Sequence, residues 1–294
     1  MKICVFGAGN MGAGIAQVFL TSGHEVVLCD VKDEFAQSGY KRIVNGLGKM
    51  VAKNKIAQEF ADECLNRLTA TTNYVLAKDA KLVLEAVIEN MDVKKNLFLK
   101  LDSICSHETI FATNTSALSL TELAASLPHR CDKFVGMHFF NPAPIMKLVE
   151  VIRAIQTSNE TFEAAYALAE SLGKQPVTVK EGPGFIVNRM LIPMMNEAIG
   201  ILADGLASAE DIDKAMCLGA NHPSGPLAVA DLVGNDVNLA IMETLFEETG
   251  DSKYRPHPLL KKMVRAGYLG KKTRKGFFAY DENGKQIPAS GMKP

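Results

Sequence analysis

No stretch of this sequence is both long and free of polar groups. The longest apolar region, residues 184–205 (GFIVNRMLIPMMNEAIGILADG), contains Asn188, Arg189, Asn196 and Glu197. A bilayer-spanning helix rarely tolerates such residues, so the region reads as a helix buried against its own domain or a second subunit. A dominant charge is missing too: 32 basic residues face 33 acidic ones, a net charge of -1. Such a balance gives no field to gather nucleic acid or an anionic membrane. The six cysteines, at 4, 29, 64, 105, 131 and 217, include no C-x-x-C pair and no metal-type spacing. They read as small hydrophobes in a reducing compartment, with no metal site implied. A strand-like run begins at residue 2 (KICVF), which leaves no room for a signal or transit peptide and predicts a cytoplasmic protein. Repeats and low-complexity segments are also missing.

What is present suits a soluble globular protein. With 294 residues, two domains are the default expectation. Apolar runs at 2–6, 25–30, 81–87, 109–114, 134–140 and 147–152 are separated in several places by helical stretches. This alternation predicts an α/β fold, a mostly parallel, doubly wound sheet covered by helices. The charged, helix-favouring stretch 34–68 is longer than one crossover requires, and predicts a helical pair projecting from the sheet. After PVTVK (176–180) and EGPG (181–184) the pattern becomes almost wholly helical. The boundary is therefore placed between a nucleotide-binding domain, residues 1–184, and a smaller helical domain, residues 185–294.

The stretch VFGAGNMGAGIAQVF sets Gly7, Ala8, Gly9, Asn10, Met11 and Gly12 between an apolar strand and an amphipathic helix. In a G-x-G-x-x-G loop the first glycine allows the tight turn, the second lets a pyrophosphate approach the backbone, and the third permits close helix-strand packing. Asp30 ends the next strand, where a carboxylate bonds the ribose 2′-hydroxyl and repels a 2′-phosphate. NAD is favoured; Lys32, close by, keeps NADP open. The same glycines also fit a plain strand-helix turn.

Residues 138–150, HFFNPAPIMKLVE, place a histidine at the head of one apolar run and a glutamate inside another. Ionisable groups are costly to bury unless something compensates them. If FVGMHFF and KLVEVI are neighbouring strands joined by NPAP, His138 and Glu150 meet. Histidine is the usual proton acceptor in alcohol oxidation, and a carboxylate on its far nitrogen fixes the tautomer. For this segment alone, a satisfied structural histidine is the better reading.

Taken in order, FATNTSALSLTELA, GMHFFNPAPIMKLVEVI, GPGFIVNR, NHPSGPLAVADLVG and GKKTRKGFFAY resemble the signature segments of the L-3-hydroxyacyl-CoA dehydrogenase family, in particular its short bacterial 3-hydroxybutyryl-CoA members. The resemblance runs from residue 2 to about residue 280. It implies hydride transfer between NAD and a short-chain 3-hydroxyacyl-CoA/3-oxoacyl-CoA pair in fatty acid or butyrate metabolism, and the apolar helix at 185–203 predicts a homodimer formed through the helical domain. His138 is implied as acid/base and Glu150 as its orienting partner. Ser116 and Asn188 are implied at the reacting oxygen; a strand-end cap and a helix N-cap are their plain readings. Glu89, Lys94, Ser116, Asn141 and Lys272 are implied to bind the cofactor, and Lys53 the coenzyme A moiety. Glu89 and Lys94 otherwise pass as a solvated helix start, and KKTRK as a surface charge run. An active site between the domains is expected, with Asn188 reaching it from the second.

Some positions depart from the family pattern: Ala117 where a second serine is common, Ser224 in HPSGP, Asn235 in GND, and Arg274 where glycine is usual. None removes a catalytic group. Two other functions fit the fold, a dehydrogenase of a free hydroxy acid or sugar acid, and a non-enzymatic NAD-binding protein. The intact set Ser116, His138, Glu150 and Asn188 argues against the second. Against a 6-phosphogluconate-type enzyme stands GFIVNR, where that chemistry needs a lysine.

Overall fold

The first strand is apolar at successive positions because it is covered on both faces. Ile3 and Val5 enter one core cluster, Cys4 and Phe6 the other. The computed structural model describes residues 1–293. By contacts the chain divides into one unit, Met1–Phe185, and a second from Ile186 onward.

The first unit holds eight strands: β1 (Lys2–Phe6), β2 (Glu25–Cys29), β3 (Leu68–Thr71), β4 (Leu82–Glu85), β5 (Ile110–Thr113), β6 (Phe134–Phe139), β7 (Leu148–Arg153) and β8 (Gln175–Lys180). They form one sheet in the order β3-β2-β1-β4-β5-β6-β7-β8, parallel everywhere except between β6 and β7. Helices α1 (Asn10–Thr21), α2 (Asp33–Ala52), α3 (Gln58–Asn66) and α6 (Asn159–Ser171) bury residues against one face. Helices α4 (Met91–Asp102) and α5 (Leu120–Ala125) cover the other. This is the doubly wound arrangement expected from the alternating pattern.

The stretch 34–68 needs two corrections. It does form a helical pair, but the pair does not simply project. Ile43 and Leu47 of α2 and Ala61 and Cys64 of α3 are buried in the core with α1. The helical pattern also ends earlier than expected: Arg67 caps α3, and Leu68 opens an edge strand that pairs with β2 and buries its first side chain. Four cysteines are buried, whereas Cys131 and Cys217 are half-exposed. Burial pushes the thiols of Cys4 and Cys29 up to about 12, so they are inert packing groups.

The second unit contains α7 (Val187–Ala203), α8 (Ala209–Gly219), α9 (Pro226–Val233), α10 (Asn235–Thr249) and α11 (Pro258–Arg265) around one core. No helix among the described residues is long and apolar enough to cross a membrane. The expectation of an almost wholly helical segment fails after α11. The chain there is an irregular ribbon with bridges at Gly270 and Lys275, Lys275 and Ala279, and Tyr280 and Gln286. Its order comes from Asp231 of α9. That carboxylate accepts from the amides of Phe277 (3.0 Å) and Phe278 (2.9 Å), from the Tyr280 hydroxyl (3.0 Å) and from Asn235 Nδ2 (3.1 Å). Burial pushes the Asp231 carboxyl up despite these donors.

Asp231→Ala should therefore release the ribbon, leaving several buried donors unpaired at about 1–3 kcal/mol each. The expected result is a clearly lower Tm together with loss of Phe277 and Phe278 amide protection in hydrogen exchange. Unchanged melting would show that the ribbon is held by its aromatic packing instead.

Candidate active site

The turn from β1 to α1 is built for close approach. Gly7 has φ +96°, and a Cβ on it would stand 2.4 Å from the Ala86 carbonyl oxygen. At Gly12 a Cβ would lie 1.7 Å from the Gly7 carbonyl oxygen, so only glycine lets α1 sit this close to the turn. Gly9 is the opposite case: a Cβ there would meet nothing within 4 Å, which leaves room at the bare backbone. Helix α1 has no side-chain cap and no acid in its first turn, so its amides and positive pole are uncompensated.

A cleft of about 860 Å³ opens beside this turn and is lined by Gly7, Ala8, Gly9, Asn10, Met11 and Asp30, among others. Asp30 Oδ2 accepts from the Ala8 amide (2.7 Å) and Oδ1 from the Val31 amide (2.7 Å), which holds the carboxylate against the loop. These features fit the pyrophosphate and ribose of a dinucleotide. Gly12 belongs to the packing beneath the loop rather than to the lining.

The buried histidine sits on the antiparallel pair. The β6–β7 register sets His138 directly opposite Glu150, and both side chains are buried. His138 Nδ1 is 2.7 Å from Glu150 Oε2, and His138 Nε2 is 3.1 Å from Ser116 Oγ. An ionised carboxylate can only accept, so Nδ1 carries the proton and Nε2 presents its lone pair. The imidazole lies beside Phe140, 4.6 Å between centroids, and Phe185, 5.6 Å. Phe185 has φ +51°, a left-handed conformation uncommon for an aromatic residue, at a cost of order 1 kcal/mol. The cost is met where the ring packs beside His138.

Ser116 is positioned by its backbone. Glu89 Oε1 accepts from Thr115 Oγ1 (2.6 Å), the Ser116 amide (2.8 Å) and the Ala117 amide (3.2 Å). Glu89 is in turn 3.2 Å from Lys94 Nζ, which is 2.5 Å from Glu85 Oε1. Glu85 also accepts from Thr113 Oγ1 and the Val87 amide, each at 2.7 Å. Of the two residues that otherwise pass as a solvated helix start, Lys94 departs from that reading, being 1% exposed beside the fully buried Glu85, whereas Glu89 is exposed. Burial pushes Glu85 up, with Lys94 opposing it. At Glu89 burial also pushes upward, but Lys94, Thr115 and the Ser116 amide outweigh it and hold the carboxyl below its ordinary value.

Asn141 is exposed just beyond β6, and Lys53 is the exposed residue that ends α2. Lys272 belongs to the second unit and bonds Asp236 at 2.6 Å. Asn188 is the second residue of α7 and half-buried; the N-cap is Ile186, so the capping role for Asn188 does not hold. Sequence reasoning missed Glu85, Asn114 and Phe185. Glu85 closes the apolar run KLVLE, the same signal that exposed Glu150. Asn114 Oδ1 accepts from the Phe139 amide (2.8 Å), tying the end of β5 to the strand that carries His138. Among the described residues no three His, Cys, Asp or Glu side chains are grouped to hold a metal ion.

Comparison with known proteins places this geometry in context. Residues 2–182 match the family profile for the 3-hydroxyacyl-CoA dehydrogenase NAD binding domain, and residues 184–280 match that of its C-terminal domain. The chain is 52% identical to the 3-hydroxybutyryl-CoA dehydrogenase of Clostridioides difficile, over 96% of this chain and 100% of that protein. To the mitochondrial hydroxyacyl-coenzyme A dehydrogenase of Homo sapiens it is 44% identical, over 95% of this chain and 90% of that protein. The crystal structure of (S)-3-hydroxybutyryl-CoA dehydrogenase from Ralstonia eutropha aligns with a TM-score of 0.92 at 47% identity, covering 96% of this chain and 99% of that one.

The buried charges give a stability test. Lys94→Met removes the cation between Glu85 and Glu89, and should cost about 3–5 kcal/mol in denaturant unfolding. Adding Glu85→Gln should restore part of that loss. If Lys94→Met alone melts like the parent, the ion cluster is not what supports the Ser116 loop.

Proposed function

The chain belongs to the 3-hydroxyacyl-CoA dehydrogenase family and is an NAD-dependent oxidoreductase acting on 3-hydroxyacyl-CoA; from that premise we propose that His138 is its general acid and base and that its pair is 3-hydroxybutyryl-CoA and acetoacetyl-CoA. The observation that carries the proposal is the chain Ser116 Oγ, His138 Nε2, His138 Nδ1, Glu150 Oε2, at 3.1 and 2.7 Å. It presents a lone pair to a hydroxyl while a carboxylate holds the opposite nitrogen.

In the oxidative direction His138 Nε2 takes the proton of the C3 hydroxyl, and Glu150 stabilises the imidazolium that forms. In reduction the same nitrogen returns it. Bound NAD supplies the hydride acceptor, and NADH the donor. With substrate bound, the Ser116 hydroxyl turns from His138 Nε2 to donate to the substrate oxygen, which frees the Nε2 lone pair for the transferred proton, and Asn188 adds an amide donor. The backbone loop at Gly7–Gly12 with Asp30 holds the dinucleotide, joined by Glu89, Asn141 and Lys272, while the buried Lys94 acts through Glu89, with which it pairs. Lys53 meets the coenzyme A phosphates. The enzyme works in the cytoplasm, in short-chain fatty acid or butyrate metabolism, as a homodimer formed through its helical domain.

His138→Ala should lower kcat roughly 10²- to 10⁴-fold while NADH binding is retained, since the phosphate cradle is backbone. Glu150→Gln should lower kcat in the same sense. Lys53→Ala should raise KM for acetoacetyl-CoA severalfold, about what an exposed charge-assisted contact contributes, without affecting kcat. Normal turnover in folded His138→Ala and Glu150→Gln variants would make the pair structural.

The substrate is tested by NADH oxidation with acetoacetyl-CoA against free acetoacetate, each repeated with NADPH. Faster turnover of the free acid would transfer the protein to the hydroxy-acid dehydrogenases. Light scattering at micromolar concentration should give the mass of two chains, and a monomer would overturn the dimer.

A further inference from the structure

Three charged side chains line the cleft beside the glycine loop: Asp30, Arg42 and Lys100. Asp30 is held by backbone amides, and Lys100 Nζ sits 3.8 Å over the Tyr74 ring. Arg42 is different. It projects from α2, is exposed, and makes no ion pair among the described residues. Its guanidinium is nevertheless fixed, donating from Nε to Asn10 Oδ1 (3.0 Å) and from one terminal nitrogen to Ser38 Oγ (2.5 Å). Both partners are neutral, so the charge is oriented but uncompensated.

Asn10 is the first residue of α1, the helix whose N-terminus lacks both a capping side chain and an acid. A guanidinium and the positive pole of a helix therefore converge on one point of the cleft. Without a ligand, two positive features so placed repel each other, whereas a phosphate between them would be held by both. Arginine retains unused N–H groups in its planar fork for that purpose.

We propose that Arg42 is a cofactor-binding residue that holds a phosphate of the dinucleotide. The assignment rests on the dinucleotide reading of this cleft. Two phosphates are within its chemistry, the pyrophosphate and the 2′-phosphate of NADPH. The first would make Arg42 a general contributor to affinity. The second would make it the cation that offsets repulsion by Asp30.

The test is titration of the intact protein by nucleotide fluorescence, with NADH and NADPH separately, for the parent, Arg42→Gln and Arg42→Lys. Loss of one charge-assisted contact should raise Kd roughly tenfold for Arg42→Gln and less for Arg42→Lys, with a shallower salt dependence. An equal rise for both nucleotides assigns Arg42 to the pyrophosphate. A rise for NADPH alone assigns it to the 2′-phosphate. If neither Kd changes by more than about twofold in folded variants, Arg42 only tethers α2 to α1 and the proposal is wrong. Should Arg42→Gln be unstable, Arg42→Lys decides the same question, because it keeps the charge and removes the fork. A parent protein that binds neither nucleotide would instead overturn the dinucleotide reading, and this assignment with it.

Discussion

The register between β6 and β7 is the constraint on which the His138–Glu150 pair depends. Side chains alternate along a strand, so a one-residue slip would move Glu150 to the opposite face and leave His138 buried without it. The antiparallel direction matters as much. In a parallel sheet, binding residues gather at the carboxyl ends of the strands. Glu85 and Thr113 end β4 and β5, and His138 is one residue from the end of β6. Glu150 is only the third residue of its strand, yet it reaches the same edge because β7 runs backwards. The one reversed pairing in the sheet is thus what brings a carboxylate to the histidine.

A second tier of buried charge supports this edge. An isolated carboxylate as deeply buried as Glu85 would cost several kcal/mol, and a buried ammonium no less. Glu85 and Lys94 are tolerable only together, with Thr113 and the Val87 amide taking up remaining oxygen capacity. Lys94 then holds Glu89, and Glu89 holds three donors of the loop bearing Ser116. An apolar filling of the same volume could match such a cluster in stability, but could not organise consecutive backbone amides. Its presence is best understood as positional, fixing the serine against the imidazole.

The fold was largely legible because its strongest signals are periodic. Strands covered on both faces leave continuous apolar runs, and six of the eight strands fall on such runs. The other two are the edge strands: Leu68–Thr71, whose LTAT carries no continuous apolar run, and Gln175–Lys180, which buries only one residue fully. His138 and Glu150 were legible as charges in apolar surroundings. Glu85 carried that signal as well, but lies in a stretch that reads as a strand running into a helix. Lys94 could not be seen to be buried, because a lysine four residues beyond a helix cap looks solvated until its two acidic partners are located in space. Phe185 is invisible to periodicity altogether, since its role depends on a left-handed backbone conformation in a loop.

The departures from the family pattern are explained by where each contact is made. Ala117 donates its backbone amide to Glu89, a contact that a serine would make with the same atom, so the missing hydroxyl costs the loop nothing of that bond. Asn235 is fully buried and donates to Asp231 and to the Tyr268 carbonyl, making it part of the anchor of the C-terminal ribbon. Arg274 has φ +59°, which accounts for a glycine being usual there and implies a small conformational cost in this chain. Nothing in the structure explains Ser224. The explained changes fall on backbone contacts and on the scaffold of the second unit, whereas Ser116, His138 and Glu150 interact through their side-chain atoms. Variation at Ala117 and Arg274 falls where the backbone makes the contact or sets the conformation, and at Asn235 it falls in the scaffold of the second unit, while the side-chain contacts of Ser116, His138 and Glu150 lie outside all of these changes.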